Sequence, residues 1–511
     1  MSVRAVVAAV VVLLGTAMPA VAQSIYVPID DPATTLIEAL LNRGHLRQLR
    51  TLERPWTVSE VKAALDEASM DDNAAVDGWR QRLEGALRRL SVPAVDEADS
   101  GSVGVRLELM PVLVLQTMAA RDVMIGDDSA EGPQPGGEAR LIMGAGNVAA
   151  VSRIVGGRQL KFDPAFHGRN DRVISARAED AYVRGEWRWG EVALGRTARS
   201  WGPPPLAGLQ IGDAPFTYDH VFGRIGGRRF WLSSMVARLD DLEFGAGPDS
   251  LARRWMSAHR FGVHLGALEV GLGEAVVYGG PGRQLEWSMA NPLGMFQLAQ
   301  YEETGDGNVS YTADVSWRWS SGMRWAAQVL IDDIQLDECD PNCDEPPSYG
   351  VAAVLEGLPL LRAHRGFASY TRVTNLAYRA PLAWERWSFH AYPLGRLTSD
   401  FDEIRLGADL AITAAGPIRV YAGYRRQGQG SFAIPYPQPS EFGATPTFLA
   451  GTVEKTLRVA LSGTLAFSIL EMDGDVGLNR SSNFRHMPGW DKNEFEGRLS
   501  ARVRLGASFS P

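Results

Sequence analysis

Lysine is nearly absent from this chain. Of 51 basic residues only Lys62, Lys161, Lys455 and Lys492 are lysines, so 47 are arginines. Cysteine is scarcer still, with two in 511 residues, which excludes a disulfide-dense scaffold and a cysteine-rich zinc module. Beyond the first 22 residues no apolar run reaches the ~18–20 residues of a spanning helix, so a helical membrane protein is excluded. A dominant charge is missing as well: the formal net charge of −9 leaves no electrostatic footprint for nucleic acid. There is no Gly-x-Ser-x-Gly, no His-Glu-x-x-His and no phosphate loop, and the eight histidines are scattered. The expectation is a non-enzymatic protein without a cofactor.

What the chain does have is glycine, 54 residues, and aromatics: 14 Trp, 13 Tyr and 18 Phe. Its length allows three or four soluble domains or one large closed sheet, and the hydropathy pattern has to decide. The arginine excess has two readings, codon usage in a GC-rich genome or selection for planar guanidinium groups that recognise anions.

Residues 1–22 carry Arg4, an apolar stretch over 5–14 and the small-residue ending Ala20-Val21-Ala22, the pattern of a secretory signal peptide cleaved near Gln23. Gly15 and Pro19 argue against a membrane anchor. In an exported chain, Cys339 and Cys343 of CDPNC read as a small disulfide.

Residues 23–90 follow helical spacing and read as a periplasmic preface. Asp31-Pro32 opens a first helix with the stripe Leu36, Ile37, Leu40 and Leu41, and Gly44 stops it. Thr57-x-x-Glu60 is a capping box for a second, with Val61, Ala64 and Leu65 on one face. Val76, Trp79, Leu83, Leu87 and Leu90 mark a third. Residues 91–102 are polar and acidic and read as a linker.

From residue 103 to 511 the period changes from 3.6 to 2. Tyr311, Ala313, Val315, Trp317 and Trp319 alternate with polar residues, Gly322 lies in a turn, and Trp325, Ala327, Val329 and Ile331 resume the pattern. Residues 103–115, 181–189, 261–267, 404–412, 418–424 and 453–467 repeat it. At the end of the chain Phe495, Gly497, Leu499, Ala501, Val503, Leu505, Ala507 and Phe509 share one face. Soluble sandwich strands average five or six residues; runs of ten or more suit tilted strands crossing a bilayer. Trp187, Trp189, Trp317, Trp319 and Trp325 flank turns, where an interfacial girdle belongs. The fold expected is an all-β transmembrane barrel of about 18 antiparallel strands with a small N-terminal helical bundle, in the outer membrane.

Residues 196–221, RTARSWGPPPLAGLQIGDAPFTYDHV, resemble the strand-and-loop signature of the capsule assembly protein Wzi family. The resemblance continues through Ala258-His259-Arg260, the run LGEAVVYG from Leu272, Asn291-Pro292-Leu293, Asn308 and the run LIDDI from Leu330. It implies an 18-stranded outer-membrane barrel with periplasmic N-terminal helices, acting as a lectin that ties capsular or other extracellular polysaccharide to the membrane. No binding residue is carried over from it. The partners expected are outer-membrane lipid, polysaccharide and the outer-membrane assembly machinery, for a monomer; the alternative function is a diffusion channel or transporter.

Candidate sites follow from residue type. Arg184, Arg188, Arg318 and Arg324, with Arg498, Arg502 and Arg504, are expected on the lumenal face, either as a ladder for acidic sugars or as partners of Glu186, Asp314 and Glu496 within the barrel. Tyr436 and Phe442 lie in a proline-rich segment, 432–448, expected to be a loop; they suit stacking on sugar rings, and the loop equally suits a lid. Asp332, Asp333, Asp337 and Asp340 form an acidic segment that reads as a solvated loop or a weak calcium site. Glu274 and His259 are an acid and a base in the family-like stretch, without an arrangement that the sequence defines.

Overall fold

A computed structural model describes residues 24–68, 73–93, 103–118, 121–125, 132–169, 171–244, 250–302, 307–333, 345–360 and 364–509. The segment expected to be a signal peptide, most of the expected linker, Asp337, Asp340 and both cysteines lie outside the described residues.

Eighteen long strands form the body. They are β1 (Gly104–Gln116), β2 (Gly132–Ala145), β3 (Val148–Gly157), β4 (Ser175–Trp187), β5 (Gly190–Arg196) and β6 (Asp219–Gly226). Next come β7 (Phe230–Arg238), β8 (Leu251–Leu265), β9 (Leu268–Pro281), β10 (Asn308–Arg318), β11 (Arg324–Asp333) and β12 (Ser348–Pro359). The last six are β13 (Arg365–Val373), β14 (Phe401–Leu410), β15 (Ile418–Gln427), β16 (Glu454–Ala466), β17 (Leu470–Ser482) and β18 (Lys492–Val503), the last continuing as Leu505–Phe509. Each pairs antiparallel with its neighbours, and β1 closes the ring on β18, from Gln116 opposite Arg498 to Val105 opposite Phe509. A sheet closed on itself has no free edge, which is what permits strands to cross a bilayer.

Alternation puts apolar residues outside. Leu107, Leu109, Leu113, Leu115, Phe261, Leu272, Leu457, Val459 and Leu461 are all exposed on the wall, the opposite of a soluble core. Trp189, Trp317, Trp319 and Trp325 are exposed at one mouth, beside the short turns, and Trp187 packs edge-on against Trp189 at 5.4 Å. The girdle expected from the sequence is therefore present. Residues 146–147, 188–189 and 266–267 make two-residue turns at this mouth, whereas the connections at the other run up to 27 residues, 374–400.

Among the described residues three helices precede the barrel: α1 (Pro32–Asn42), α2 (Val58–Asp66) and α3 (Ala74–Leu90). Asp31 caps α1 by accepting from the Ala33 amide at 3.0 Å, and Thr57 and Glu60 make both halves of the capping box on α2. These helices are not a separate unit beside the barrel. Both faces of α1 are buried, Leu36, Ile37, Leu40 and Leu41 included; at roughly 1.5–3 kcal/mol for each large apolar side chain buried, this contact holds the helix in the short-turn mouth. Asn42 donates to Asp409 and accepts from the Gly357 amide at 2.5 Å, while Trp79 of α3 donates to the Thr413 carbonyl at 2.8 Å. Gly44 and Gly322 meet where plug and turn touch. Both have positive φ, and a Cβ on Gly44 would lie 2.5 Å from the Gly322 Cα, so a side chain would push the plug off the rim.

Candidate functional site

The lumen is filled from both ends. From the short-turn mouth the chain between α1 and α2 rises along the wall. Glu269 accepts from the Thr51 and Leu52 amides at 2.7 and 3.0 Å, and Glu53 accepts from the Trp231 indole at 2.9 Å and the Ser233 hydroxyl at 2.8 Å. From the long-loop mouth residues 197–218 descend to meet it. Glu53 and Arg54 pair antiparallel with Trp201 and Ser200, and the Gly202 amide donates to the Leu52 carbonyl at 2.9 Å. A second loop, 374–400, packs behind the first: Tyr378 donates to the Leu209 carbonyl and Trp387 to the Gln210 carbonyl, each at 2.6 Å. These backbone groups would be unpaired in an empty lumen; each finds a partner here.

Inward-facing charges are cross-linked in the same way. Arg260 and Asp314 are fully buried and face each other in a two-pronged pair, with the Nη1–Oδ2 bond at 2.5 Å. Arg153 donates to Asp30 through both terminal nitrogens, at 2.9 and 2.7 Å, and to Asp180 at 2.6 Å, thereby tying the N-terminal segment to β3 and β4. Arg140 does the same for Asp31 and Glu138. Removing one partner of the Arg260–Asp314 pair costs about 3–5 kcal/mol because the other charge stays buried.

The arginines singled out in the sequence fall into this scheme. Arg184 is buried against Glu191 at 2.5 Å, Glu186 at 2.7 Å and the Ser24 carbonyl at 2.5 Å, and Arg324 is buried against Glu356 and the Pro204 carbonyl. Arg318 is half-buried near Arg324 at the short-turn mouth. Arg188 departs from the expectation: β4 ends at Trp187, so Arg188 occupies the two-residue turn and is exposed to solvent rather than facing the lumen. No two of Arg188, Arg318 and Arg324 act with Tyr436 or Phe442, which lie at the other mouth. There the two aromatics stand edge-to-face at 6.3 Å, half-buried, and the Tyr436 hydroxyl donates to Glu345. Segment 428–453 is a loop, as its prolines require, and it is anchored by Asp400, which accepts from the Gly430, Leu449 and Ala450 amides.

The acidic segment does not assemble a calcium site from its described half. Asp332 and Asp333 are successive residues at the end of β11, so their side chains point to opposite faces. Asp332 is buried, accepting from the Ser348 hydroxyl at 3.1 Å and the Tyr378 amide at 2.9 Å, whereas Asp333 is exposed. Among the described residues no group of three His, Cys, Asp or Glu side chains is arranged to hold a metal ion.

A cavity of about 600 Å³ remains between the plug, the inward loops and the wall from β14 to β18. Its lining includes Arg121, Arg396, Arg405, Arg419, Arg425 and Arg498, facing Glu38, Asp122, Asp213, Asp409, Asp473 and Asp475. Several of the arginines are already paired: Arg425 with Asp122 at 2.5 Å, Arg419 with its cross-strand neighbour Asp409 at 2.6 Å, and Arg405 with Glu403 on the same strand at 2.6 Å. Burial pushes Asp122 up, but Arg425 and Arg405 outweigh it and hold this carboxyl below its ordinary range. Burial raises Glu38 above its ordinary value in spite of Arg54 at 3.0 Å. Arg121 is sandwiched by the rings of Phe216 and Tyr392 at 4.2 and 4.3 Å. Arg396 donates to the Ala207 carbonyl at 3.3 Å and makes no ion pair among the described residues. A space so lined offers hydrogen-bond donors and acceptors together, the groups a polyhydroxylated ligand uses. Of this lining the sequence reading named Arg498 but missed Arg121 and Arg396, which sit in loops, where no periodicity marks which way a side chain points.

The architecture is that of an eighteen-stranded outer-membrane barrel whose lumen is occupied by its own N-terminal segment and inward loops. No protein-family model and no curated protein sequence matches the chain. Among solved structures its fold is similar to that of Wzi, an outer-membrane protein involved in group 1 capsule assembly in Escherichia coli and described as a carbohydrate-binding β-barrel. That similarity has a TM-score of 0.63 over 96% of this chain and 100% of that one, at 12% identity. The Pseudomonas aeruginosa proteins OccD3 and OprD align at TM-scores of 0.45 and 0.43, each over 82% of this chain and covering 94% and 98% of their own, at 11% identity. The resemblance expected from the motifs is thus met at the level of fold.

Proposed function

We propose that this protein is a non-enzymatic, lectin-like component of the outer membrane that attaches or assembles capsular or extracellular polysaccharide at the cell surface. The short-turn mouth faces the periplasm, as in outer-membrane barrels generally, and the long loops face outward. The observation that carries the reading is the ladder of Glu53–Arg54 with Ser200–Trp201: chain entering from each mouth meets inside the lumen, which suits a binding scaffold and obstructs free diffusion. The outward roof supplies Tyr436 and Phe442 for stacking on sugar rings, and the cavity behind it supplies Arg396 for hydroxyl and carboxylate groups. Arg184 and Arg324 are cross-links of the plug in this reading.

Glycan-array binding by the purified barrel, together with planar-bilayer conductance, tests it. Saturable binding to an acidic or neutral surface polysaccharide with negligible conductance is expected. Robust conductance without glycan binding would instead make the protein a diffusion channel.

A further inference from the structure

One patch of the outer wall is buried although it points away from the lumen. On β9 the outward positions continue from Leu272, which is exposed, through Glu274, Val276 and Tyr278, which are not. Their neighbours in register are His259 opposite Glu274, Ser257 opposite Val276 and Trp255 opposite Tyr278 on β8, and Val309 opposite Val276 on β10. Leu268 pairs with the girdle residue Trp317. Six residues further along a strand tilted by ~40°, at ~3.3 Å per residue, puts Glu274 roughly 15 Å above that girdle, within an apolar band ~25 Å tall.

What covers the patch is segment 283–302, which turns back over the outside of the barrel as two short helices, α4 (Trp287–Ala290) and α5 (Phe296–Glu302). Met289 and Phe296 pack on Val276, Tyr278 and Val309. The Phe296 ring lies 4.6 Å from that of His259, the Gln297 amide donates to Glu274 at 3.0 Å, and His259 meets Glu274 at 3.2 Å. The acid and base noted in the sequence are therefore neither catalytic in setting nor lumenal; they are an outer-wall pair roofed by this segment. The roof's own outer surface is apolar. Trp287 is 60% exposed, Leu293 81%, Met295 54% and Leu298 52%, and residues 287–300 carry no charged side chain.

We propose that residues 283–302 form an interfacial ledge seated in the outer leaflet, with Trp287, Leu293, Met295 and Leu298 in contact with its acyl chains. Continuity argues for lipid as the occupant: the ledge begins where the lipid-facing wall at Leu272 and Phe261 stops, and it covers the polar positions Ser257, His259 and Glu274 with apolar surface at the same height. An amphipathic segment lying along the interface in this way binds through its buried apolar area. The ledge also spares the His259–Glu274 pair contact with hydrocarbon, where it would be costly.

The test uses the full-length protein carrying Cys339→Ser and Cys343→Ser, with an environment-sensitive fluorophore on Leu293→Cys or Leu298→Cys, reconstituted into phosphatidylcholine vesicles with or without bromine on the acyl chains. Leu272→Cys on the wall and Gly443→Cys on the roof loop are the lipid and water references. At 293 and 298 bromine should quench at least half as strongly as at 272, and aqueous iodide at least threefold less than at 443. Iodide quenching equal to that at 443, with no effect of bromine, would overturn the proposal, including the case in which a protein partner covers the ledge in the cell. Trp287→Phe, which needs no label or cysteine replacement, gives a second reading: it should reduce the bromine-quenchable share of tryptophan emission, and an unchanged share counts against the ledge.

Discussion

Glu53 is the residue on which the closed lumen most directly depends. It is buried, and its carboxylate receives the Trp231 indole N–H at 2.9 Å and the Ser233 hydroxyl at 2.8 Å while its backbone pairs with Trp201. Glu53→Ala leaves both donors buried without an acceptor, at about 1–3 kcal/mol each. Relief of the carboxylate's own desolvation offsets part of that, so a net loss of roughly 3 kcal/mol is expected, equivalent to about 100-fold in the opening equilibrium of the ladder. Hydrogen exchange read at the Gly202 amide, which donates to the Leu52 carbonyl, measures that opening. Its exchange should accelerate by about two orders of magnitude, and the variant barrel should conduct more often in planar bilayers than the unaltered one. Arg169→Ala is the control, because Arg169 and Asp171 form an exposed pair on an outer loop and its loss should leave the ladder unchanged. Acceleration of less than threefold in a folded Glu53→Ala barrel would refute the view that plug and loop are locked together through Glu53.

Other outcomes separate structure from recognition. Arg324→Ala should destabilise the barrel by about 3 kcal/mol, since Glu356 is left buried and unpaired; Arg318→Ala should not, and neither should alter polysaccharide binding measured on the folded protein. Tyr436→Ala and Phe442→Ala together should weaken glycan binding at least tenfold with no change in thermal stability of the barrel. Asp122 is held below the ordinary carboxylate range, so its contribution to docking residues 121–125 on Arg425 and Arg405 is complete at neutral pH and is lost as pH falls through the folded-state value. The protection factor of the Met124 amide, which donates to Asp122 at 3.0 Å, should therefore fall on acidification once the intrinsic exchange rate at each pH is divided out, and Asp122→Asn should remove that fall.

The sequence made the barrel legible where one face of a strand meets lipid. The terminal run from Phe495 and the hairpin around Gly322 alternate without interruption, and both are strands at those positions. Other strands escaped because their outward face is weak or covered. β2 opens Gly-Pro-Gln-Pro-Gly-Gly, and β9 carries Glu274 on its outer side under the ledge, so neither shows a clean period of two. The caps at Asp31 and Thr57 are local features, and they are found as expected. Docking of those helices in the mouth is not local: it rests on Asn42 reaching Asp409 and Trp79 reaching Thr413, contacts more than 300 residues apart. The cavity was only partly legible for the same reason: its strand side includes Arg498, expected on the lumenal face, but the side built by Arg121, Asp213 and Arg396 comes from loops whose inward path no periodicity encodes.

The arginine excess acquires a third reading from this arrangement. A lumen packed with chain rather than water must satisfy carboxylates on the wall, the plug and the loops at once, and a planar five-donor group can serve several acceptors from one position. Arg153 bridges Asp30 and Asp180, Arg184 bridges Glu191, Glu186 and the Ser24 carbonyl, and Arg254 serves Asp240 and the carbonyls of Trp384, Arg386 and Ser388. A lysine at any of these positions keeps the charge but loses the fork. Arg153→Lys should then break the link to Asp30 or to Asp180 while leaving net charge intact. If codon usage alone set the composition, that exchange would be neutral; the geometry instead predicts a loosened N-terminal segment, measurable as faster proteolysis or hydrogen exchange over residues 24–31 in an otherwise folded barrel.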